Sequence, residues 1–160
     1  MPVFTHEMEL GISGARYWAS VKDHTAVFPK ILPEEIASMR FIQGAGELGS
    51  VRITKFGPVA PEGSYVKEKL VGLQPQKLCV TWAEIEGGHL TQGFSKWIFA
   101  SQVVAIDDTK CKLKFTIEYD GGDLDNNEGF IDETKEMLTR SFRLLEQYLK
   151  QNQAQVTATA

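Results

Sequence analysis

NNEGFIDETKEMLTRSFRLLEQYLK, residues 126–150, decides the fold class, because it keeps a helical periodicity over many turns. Apolar residues recur at positions 130, 131, 137, 138, 142, 144, 145, 148 and 149, and Thr134 and Ser141 lie on the same stripe. This spacing predicts one amphipathic helix, about 37 Å long, with a broad apolar face. Asp125 can cap its N-terminus, and Glu128 three residues later can complete a capping box. So long an apolar stripe needs an extended apolar surface to pack against.

The residues before this helix supply that surface as short strands. KLKFTIEY, residues 112–119, alternates strictly between polar and apolar side chains, and residues 3–10 alternate in the same way. Further strand candidates lie at residues 39–44, 50–56, 64–71, 77–85 and 94–106. Two short helical segments, 14–24 and 33–39, follow the first strand, with Pro29 and Pro33 as helix breakers.

This order of elements predicts an α+β fold. Strands joined by short turns favour an antiparallel meander, and seven of them can form a curved sheet wrapped around the long C-terminal helix. One helix leaves the concave side of such a sheet incompletely filled, so we expect an internal cavity. The chain of 160 residues is the size of one domain, which we assign to residues 1–150, followed by a flexible polar tail at 151–160.

Composition narrows the classes of function. The net charge of −4 gives no electrostatic attraction to nucleic acid, so no nucleic-acid partner is expected. The sequence has no apolar run long enough to span a membrane, and its N-terminus lacks the pattern of a secretory signal. Cys79 and Cys111 lie far apart and form no C-x-x-C pair, which is typical of thiols in a reducing compartment. We therefore expect a cytoplasmic protein, either a monomer or a weak dimer.

The glycine-rich stretch GAGELGS, residues 44–50, raises the question of a phosphate-binding loop. Gly44, Gly46 and Gly49 match the G-x-G-x-x-G string, but the residues that follow alternate like a strand. Phosphate binding by such a loop depends on the N-terminus of a following helix, and Glu47 adds a negative charge. The stretch is therefore interpreted as a turn between two strands.

Several motifs, taken in order, resemble one known family. They are VFPKILPEEI (27–36), GAGELGS (44–50), SYVKEKL (64–70), EIEGG (84–88), TKEM (134–137) and EQYL (146–149). Together they resemble the pathogenesis-related class 10 family, the plant Bet v 1-like proteins, over residues 3–150. The resemblance implies a START-like helix-grip fold, with a seven-stranded sheet around a long helix and a large internal cavity for apolar small molecules.

Periodicity and resemblance together give a set of candidate ligand-binding residues on the inner faces of the strands and helices. They are His6, Phe28, Val66, Glu68, Val80, Trp82, Trp97, Phe99, Ser101, Phe115, Ile117, Tyr119, Met137, Leu138 and Ser141. Each apolar member is equally compatible with a filled core, and His6 with an ordinary core histidine. Polar groups scattered among apolar ones are nevertheless what small-molecule sites contain.

Two enzymatic alternatives follow from the resemblance. In norcoclaurine synthases the catalytic tyrosine, lysine and aspartate fall at positions that here read Val66, Val80 and Phe99, so only Glu68 of that set is kept. A proposed ribonuclease set matches Glu146 and Tyr148, but its remaining glutamate position reads Ser95. Without the polar groups the acid–base relay is missing, so no catalytic residue is assigned.

The predicted function is therefore a non-enzymatic binder of apolar or amphipathic small molecules. The resemblance suggests a plant hormone such as a cytokinin, a flavonoid or a fatty acid as ligand, and a role in defence or stress. No cofactor is expected. No metal is expected either, because His24 and His89 stand at no ligand spacing with His6.

Overall fold

A seven-stranded antiparallel sheet packs against one long C-terminal helix in the computed structural model, which describes residues 2–124, 127 and 129–152. The strands are β1 (Val3–Leu10), β2 (Ile36–Gln43), β3 (Val51–Phe56), β4 (Tyr65–Gln74), β5 (Cys79–Gly87), β6 (Phe94–Ala105) and β7 (Cys111–Gly121). The helices are α1 (Gly14–Ser20), α2 (His24–Ile31) and α3 (Phe130–Gln151), with single 3₁₀ turns at Val21–Asp23, Pro75–Lys77 and Gly88–Thr91.

The strand order is β1-β7-β6-β5-β4-β3-β2, so strands β2 to β7 form the predicted meander. β1 joins the far edge of the sheet by pairing with β7, and its register places Phe4 opposite Ile117. Alternation along β7 holds as predicted, because Leu113, Phe115 and Ile117 are buried while Lys114 is exposed. The predicted α+β fold, with two short helices after the first strand, is therefore confirmed.

The core lies between the sheet and α3. Leu138, Phe142 and Leu145, spaced three or four residues apart along α3, are buried in one cluster with β1 and β7. That spacing places them on one face of the helix. Burial of large apolar side chains of this kind contributes roughly 1.5–3 kcal/mol each. Burial of this apolar face against the sheet therefore holds α3 in place.

Two predicted boundaries were wrong. Residues 33–39 are not a helix: α2 is His24–Ile31, it includes Pro29, and β2 already begins at Ile36. Pairing of Ile36 with Phe56 of β3 fixes the extended backbone there, and this tertiary contact overrides the local helical preference.

The second boundary is the start of α3, which begins at Phe130 and not at residue 126. Gly129 precedes it with φ of 89°, a left-handed conformation that glycine adopts without steric cost. The predicted cap residues Asp125 and Glu128 lie outside the described residues. With 22 residues the helix is about 33 Å long.

Candidate functional site

An internal cavity of about 170 Å³ lies between the two short helices and the concave side of β2 to β6. Its walls include the aromatic residues Tyr17, Phe28, Phe41, Trp82, Phe99 and Phe142, the aliphatic residues Val21, Leu70, Leu73 and Val80, and the polar residues Lys22, His24, Thr25, Arg52 and Ser101. Typical small-molecule sites measure roughly 300–1,000 Å³. The cavity predicted from the family resemblance is therefore present, but its volume is smaller than that of the large cavity which the resemblance implies.

An aromatic cluster fills the space that a larger cavity would occupy. Its members are Phe4, His89, Phe94, Trp97, Tyr119 and Phe130. The ring of Phe94 lies 5.1 Å from that of Trp97 and 5.6 Å from that of Phe130. His89 stacks on Trp97 with 3.6 Å between ring centroids and 5° between planes. Aromatic groups packed this closely leave no room for a ligand among them.

The cavity wall contains two charged residues outside the predicted set, Lys22 and the more buried Arg52. Arg52 stands opposite Glu68 in the register of β3 and β4, and its Nε donates to Glu68 Oε1 at 3.1 Å. The guanidinium carbon also lies 3.8 Å from the centre of the Trp82 ring, a cation–π contact. Glu68 is therefore held by Arg52, and within the described residues it has no hydrogen bond to His6 or Tyr119. A basic residue facing an inward-pointing glutamate would have been the signal, but the β3–β4 register could not be read from sequence.

His24 forms another part of the wall, and its tautomer follows from its neighbours. The Ser20 hydroxyl donates its hydrogen to the carbonyl oxygen of Tyr17 at 2.6 Å, so it can only accept from His24 Nε2, 3.0 Å away. His24 thus carries a proton on Nε2, and its lowered pKa makes it neutral at pH 7. Burial lowers the pKa of His24 to about 3, and the positive charge of Arg52 adds to the effect.

The glycine-rich stretch is a loop between β2 and β3, and a strand follows it instead of a helix. Gly44, Gly46 and Gly49 all have positive φ, at 72°, 118° and 90°. The Glu47 carboxylate accepts from the backbone N–H of Ala45 at 3.1 and 3.2 Å. Hydrogen bonds from the backbone N–H groups of Glu47 itself and of Ala45 hold its pKa below the ordinary value. The backbone N–H of Ala45 thus already binds the carboxylate of Glu47, a residue of the same loop. Gly46 lies at the edge of the cavity.

The structure brings five of the fifteen predicted ligand-binding residues together at the cavity. They are Phe28, Val80, Trp82, Phe99 and Ser101. Six others are buried in the core instead, namely Val66, Trp97, Phe115, Ile117, Leu138 and Ser141, and Tyr119 is half-buried in the aromatic cluster. For these residues a contact with a ligand stays a prediction.

His6 and Met137 lie away from the cavity. His6 Nε2 is 2.6 Å from Thr139 Oγ1, in a groove between β1 and α3, and burial together with nearby Lys135 lowers its pKa. Met137 is 49% exposed, although the apolar stripe predicted it to face inward. The buried positions of α3 are Thr134, Leu138, Ser141, Phe142, Leu145 and Glu146, so residue 137 lies at the edge of the stripe.

Glu146, which the family resemblance matched to a ribonuclease set, makes contacts that hold two elements of the fold together. Its buried carboxylate accepts from the backbone N–H of Gly11 and from Arg143 Nη1, the latter at 2.8 Å. Burial by itself raises its pKa, but the hydrogen bonds from Arg143 and Gly11 outweigh that effect and hold the pKa below the ordinary value. These contacts tie the C-terminal half of α3 to the end of β1.

The described residues lack two features that define other classes of protein. In the part of the chain that the structure describes, no three His, Cys, Asp or Glu side chains lie together as a metal site would need. Within the same residues, none of the helices is both long and apolar enough to cross a membrane.

A helix-grip domain with a small, aromatic-walled internal cavity is thus the class of protein that the fold and site define. Residues 2–152 match the Pathogenesis-related protein Bet v 1 family, and the chain belongs to that family. It is 30% identical to the major strawberry allergen Fra a 1.04 of Fragaria ananassa over 156 residues, which cover 95% of this chain and 97% of the allergen. It is also 30% identical to the major allergen Pru av 1 of Prunus avium, over 94% of this chain and 96% of that one.

Solved structures show the same fold at lower identity. Truncated norcoclaurine synthase from Thalictrum flavum has a TM-score of 0.76 at 22% identity and covers 92% of both chains. Ara h 8.0201 has a TM-score of 0.75 at 24% identity, over 94% of this chain and 100% of the other. At these identities the similarity establishes the shared fold and nothing about chemistry.

Proposed function

We propose that this protein binds an apolar or amphipathic small molecule in the 170 Å³ cavity, without catalysing a reaction on it. The observation that carries the proposal is a cavity whose walls are mainly aromatic and aliphatic and which also contains a positively charged guanidinium. A concave apolar space with a few placed polar groups is the usual form of a small-molecule site. Membership of a pathogenesis-related family supports the proposed role in defence or stress.

The charges of the wall define the chemistry of the ligand. Arg52 and Lys22 both line the cavity, and the Thr25 and Ser101 hydroxyls can donate or accept. Only Nε of Arg52 is used by Glu68 among the described hydrogen bonds, so its terminal nitrogens can serve an acceptor on the ligand. We therefore propose a ligand with a carboxylate, phenolate or similar acceptor at one end and a planar or aliphatic apolar body.

The size of the cavity orders the ligand classes predicted from the sequence. A 150 Å³ apolar cavity in another protein holds a single benzene ring. A molecule the size of a cytokinin base fits this scale best, whereas a flavonoid or a long fatty acid requires the cavity to widen. A structural neighbour, norcoclaurine synthase, was solved in complex with dopamine and hydroxybenzaldehyde, which supports small ring compounds as occupants of this fold.

The location and the oligomeric state belong to the same proposal. We propose a cytoplasmic protein that works as a monomer or a weak dimer. Both cysteines are unpaired, with Cys111 fully buried, which supports a reducing compartment. Three positions that would carry the acid–base groups of a condensing enzyme are the apolar Val66, Val80 and Phe99, which supports binding without turnover.

The test compares two ligands that differ by one charge. Titration calorimetry with 1-naphthoic acid and with 1-naphthalenemethanol should give micromolar binding of the acid. The double variant Arg52→Met/Glu68→Gln removes the guanidinium without leaving a carboxylate unpaired. Loss of a hydrogen bond to a charged group costs about 1.5–3 kcal/mol, so the acid should bind roughly 10- to 150-fold more weakly.

Two controls accompany this test. Glu68→Gln alone should keep acid binding, because it leaves the guanidinium in place. The alcohol should bind the double variant and the wild type almost equally. Wild-type protein that is folded and binds neither compound would contradict the proposed function, and equal loss of both ligands would contradict the role of Arg52.

A further inference from the structure

Beyond the cavity, the concave face of the sheet continues along β6 to Trp97. The register places Leu70, Trp82 and Phe99 in one row across the concave face, and all three line the cavity. Trp97 is the next inward-facing residue of β6 beyond Phe99, about 6.6–6.8 Å further along the strand. The Trp97 indole is 5% exposed and packs in the core cluster next to this row.

His89 supports Trp97 from the adjoining turn. The imidazole lies flat on the indole, with 3.6 Å between ring centroids. The Glu84 carboxylate holds it there by accepting from the backbone N–H of His89 at 2.8 Å and from His89 Nδ1 at 2.7 Å. The Glu84 side chain is only 7% exposed, so these hydrogen bonds act away from bulk water.

The backbone of the turn is built for this contact. Gly87 and Gly88 have positive φ values of 72° and 55°. A Cβ atom at Gly88 would lie 2.6 Å from Glu84 Oε1, so any other residue there would displace the carboxylate. Gly88 therefore lets the chain approach Glu84 closely enough to fix the His89–Trp97 stack, while Gly87 lets it pass the backbone of Tyr65.

A second void lies on the other side of this stack. A cleft of about 660 Å³ opens between residues 57–64, which connect β3 to β4, and the turn after β5. His89 and Glu84 line the cleft, whereas among the described residues the lining of the inner cavity includes neither. Phe99 borders the smaller cavity and His89 borders the larger cleft, and Trp97 is the next inward-facing residue after Phe99 and stacks on His89, which places the His89–Trp97 stack between the two spaces.

We propose that His89 sets the maximum length of the ligand by keeping these two spaces apart. This inference rests on the proposed function, because it concerns the same cavity. The ligand class it addresses is an unbranched alkyl carboxylate whose chain would pass from the inner cavity into the cleft. With the stack in place, methylene groups beyond the cavity's capacity gain no apolar contact.

The test measures affinity across a series of straight-chain carboxylates, from hexanoate to hexadecanoate, by displacement of a fluorescent dye. Each additional buried methylene group tightens binding about fourfold, equivalent to ~0.8 kcal/mol. In the wild type this gain should stop once the cavity is full. The chain length at which it stops is the quantity that His89 is proposed to control.

Two matched variants isolate the imidazole. Both contain Glu84→Gln, so that no buried carboxylate loses its donors. His89→Ala/Glu84→Gln should extend the gain by at least two further methylene groups, and its affinity for hexadecanoate should exceed that of the wild type at least tenfold. His89→Phe/Glu84→Gln keeps a ring on Trp97 and should retain the wild-type limit.

The outcomes separate this inference from the proposed function. If the limit is the same in both variants, His89 does not set it, whatever the cavity binds. If folded wild-type protein binds no carboxylate of any length, both proposals fail. Should the alanine variant not fold, as judged by circular dichroism, NMR contacts between His89 and Trp97 in the wild type decide. These His89–Trp97 contacts should persist when hexadecanoate is bound. The inference would be overturned if the contacts disappeared because the chain passes the stack, and if the affinity for carboxylates kept rising up to hexadecanoate.

Discussion

Replacement of His24 by glutamine should remove a specific part of the acid sensitivity of this protein. His24 is 8% exposed, lies against the rings of Tyr17 and Phe28 at 5.5 and 5.4 Å, and is neutral with a pKa of about 3. In the unfolded chain the same group titrates near its ordinary pKa of about 6.5. Between these values the unfolded state binds a proton that the folded state does not.

The sign and size of the effect follow from this difference. Because the folded pKa is lowered, the stability contributed by His24 is fully present above pH 6.5 and is lost as the pH falls toward 3. The loss approaches about 1.4 kcal/mol per pH unit. Integrated from pH 7 to pH 5, this residue alone should lower the free energy of unfolding by about 2 kcal/mol.

The assay is urea unfolding at pH 7, 6 and 5, a range above the usual pKa values of carboxylates. His24→Gln keeps an N–H that can donate to Ser20 but does not titrate, so its free energy of unfolding should fall about 2 kcal/mol less than that of the wild type over this range. His6→Gln serves as the control, because the pKa of His6 is also lowered. This variant measures how much of the pH dependence of unfolding belongs to His6. Parallel pH dependence of the wild type and His24→Gln would refute the reasoning.

Three further substitutions test the loop and the helix. Gly49→Ala should lower the free energy of unfolding by about 1 kcal/mol, because its φ of 90° is costly for alanine and no atom lies within 4 Å of an added Cβ. Gly44→Ala should cost more in the same urea titration, since its Cβ would lie 2.4 Å from Oγ and 3.1 Å from Cβ of the buried Ser50; equal costs would contradict this. Glu146→Gln should cost about 2–3 kcal/mol at pH 7, because the buried ionised acceptor for Gly11 N–H and Arg143 is weakened; unchanged stability would show that these contacts are not needed.

The class of fold was readable from the sequence because two periodicities are local properties. The alternation of residues 112–119 and the stripe along residues 130–149 depend only on backbone geometry and on which side chains avoid water. Both appear as predicted in β7 and α3, and the family motifs fixed the order of the remaining elements. The strand at residues 36–39 was missed for the converse reason, since pairing with β3 and not local preference decides its conformation.

The site was readable only in part. Phe28, Val80, Trp82, Phe99 and Ser101 line the cavity as predicted, because inward orientation follows from strand and helix periodicity. Which inward-facing residues meet a void and which meet each other depends on how separate elements fill one volume. That is a property of packing in three dimensions, and no periodicity records it.

Tertiary structure alone decided the chemistry of the cavity. Arg52 reaches Glu68, sixteen positions further along the chain, because the β3–β4 register sets them side by side, and it lies over Trp82 of the next strand, β5. His24 is kept neutral by burial between two helices. His89 lies on Trp97 because Glu84 holds the turn that carries it. Local sequence thus determined which way each side chain points, while long-range contacts decided what it meets there, and charge state and cavity size depend on the latter.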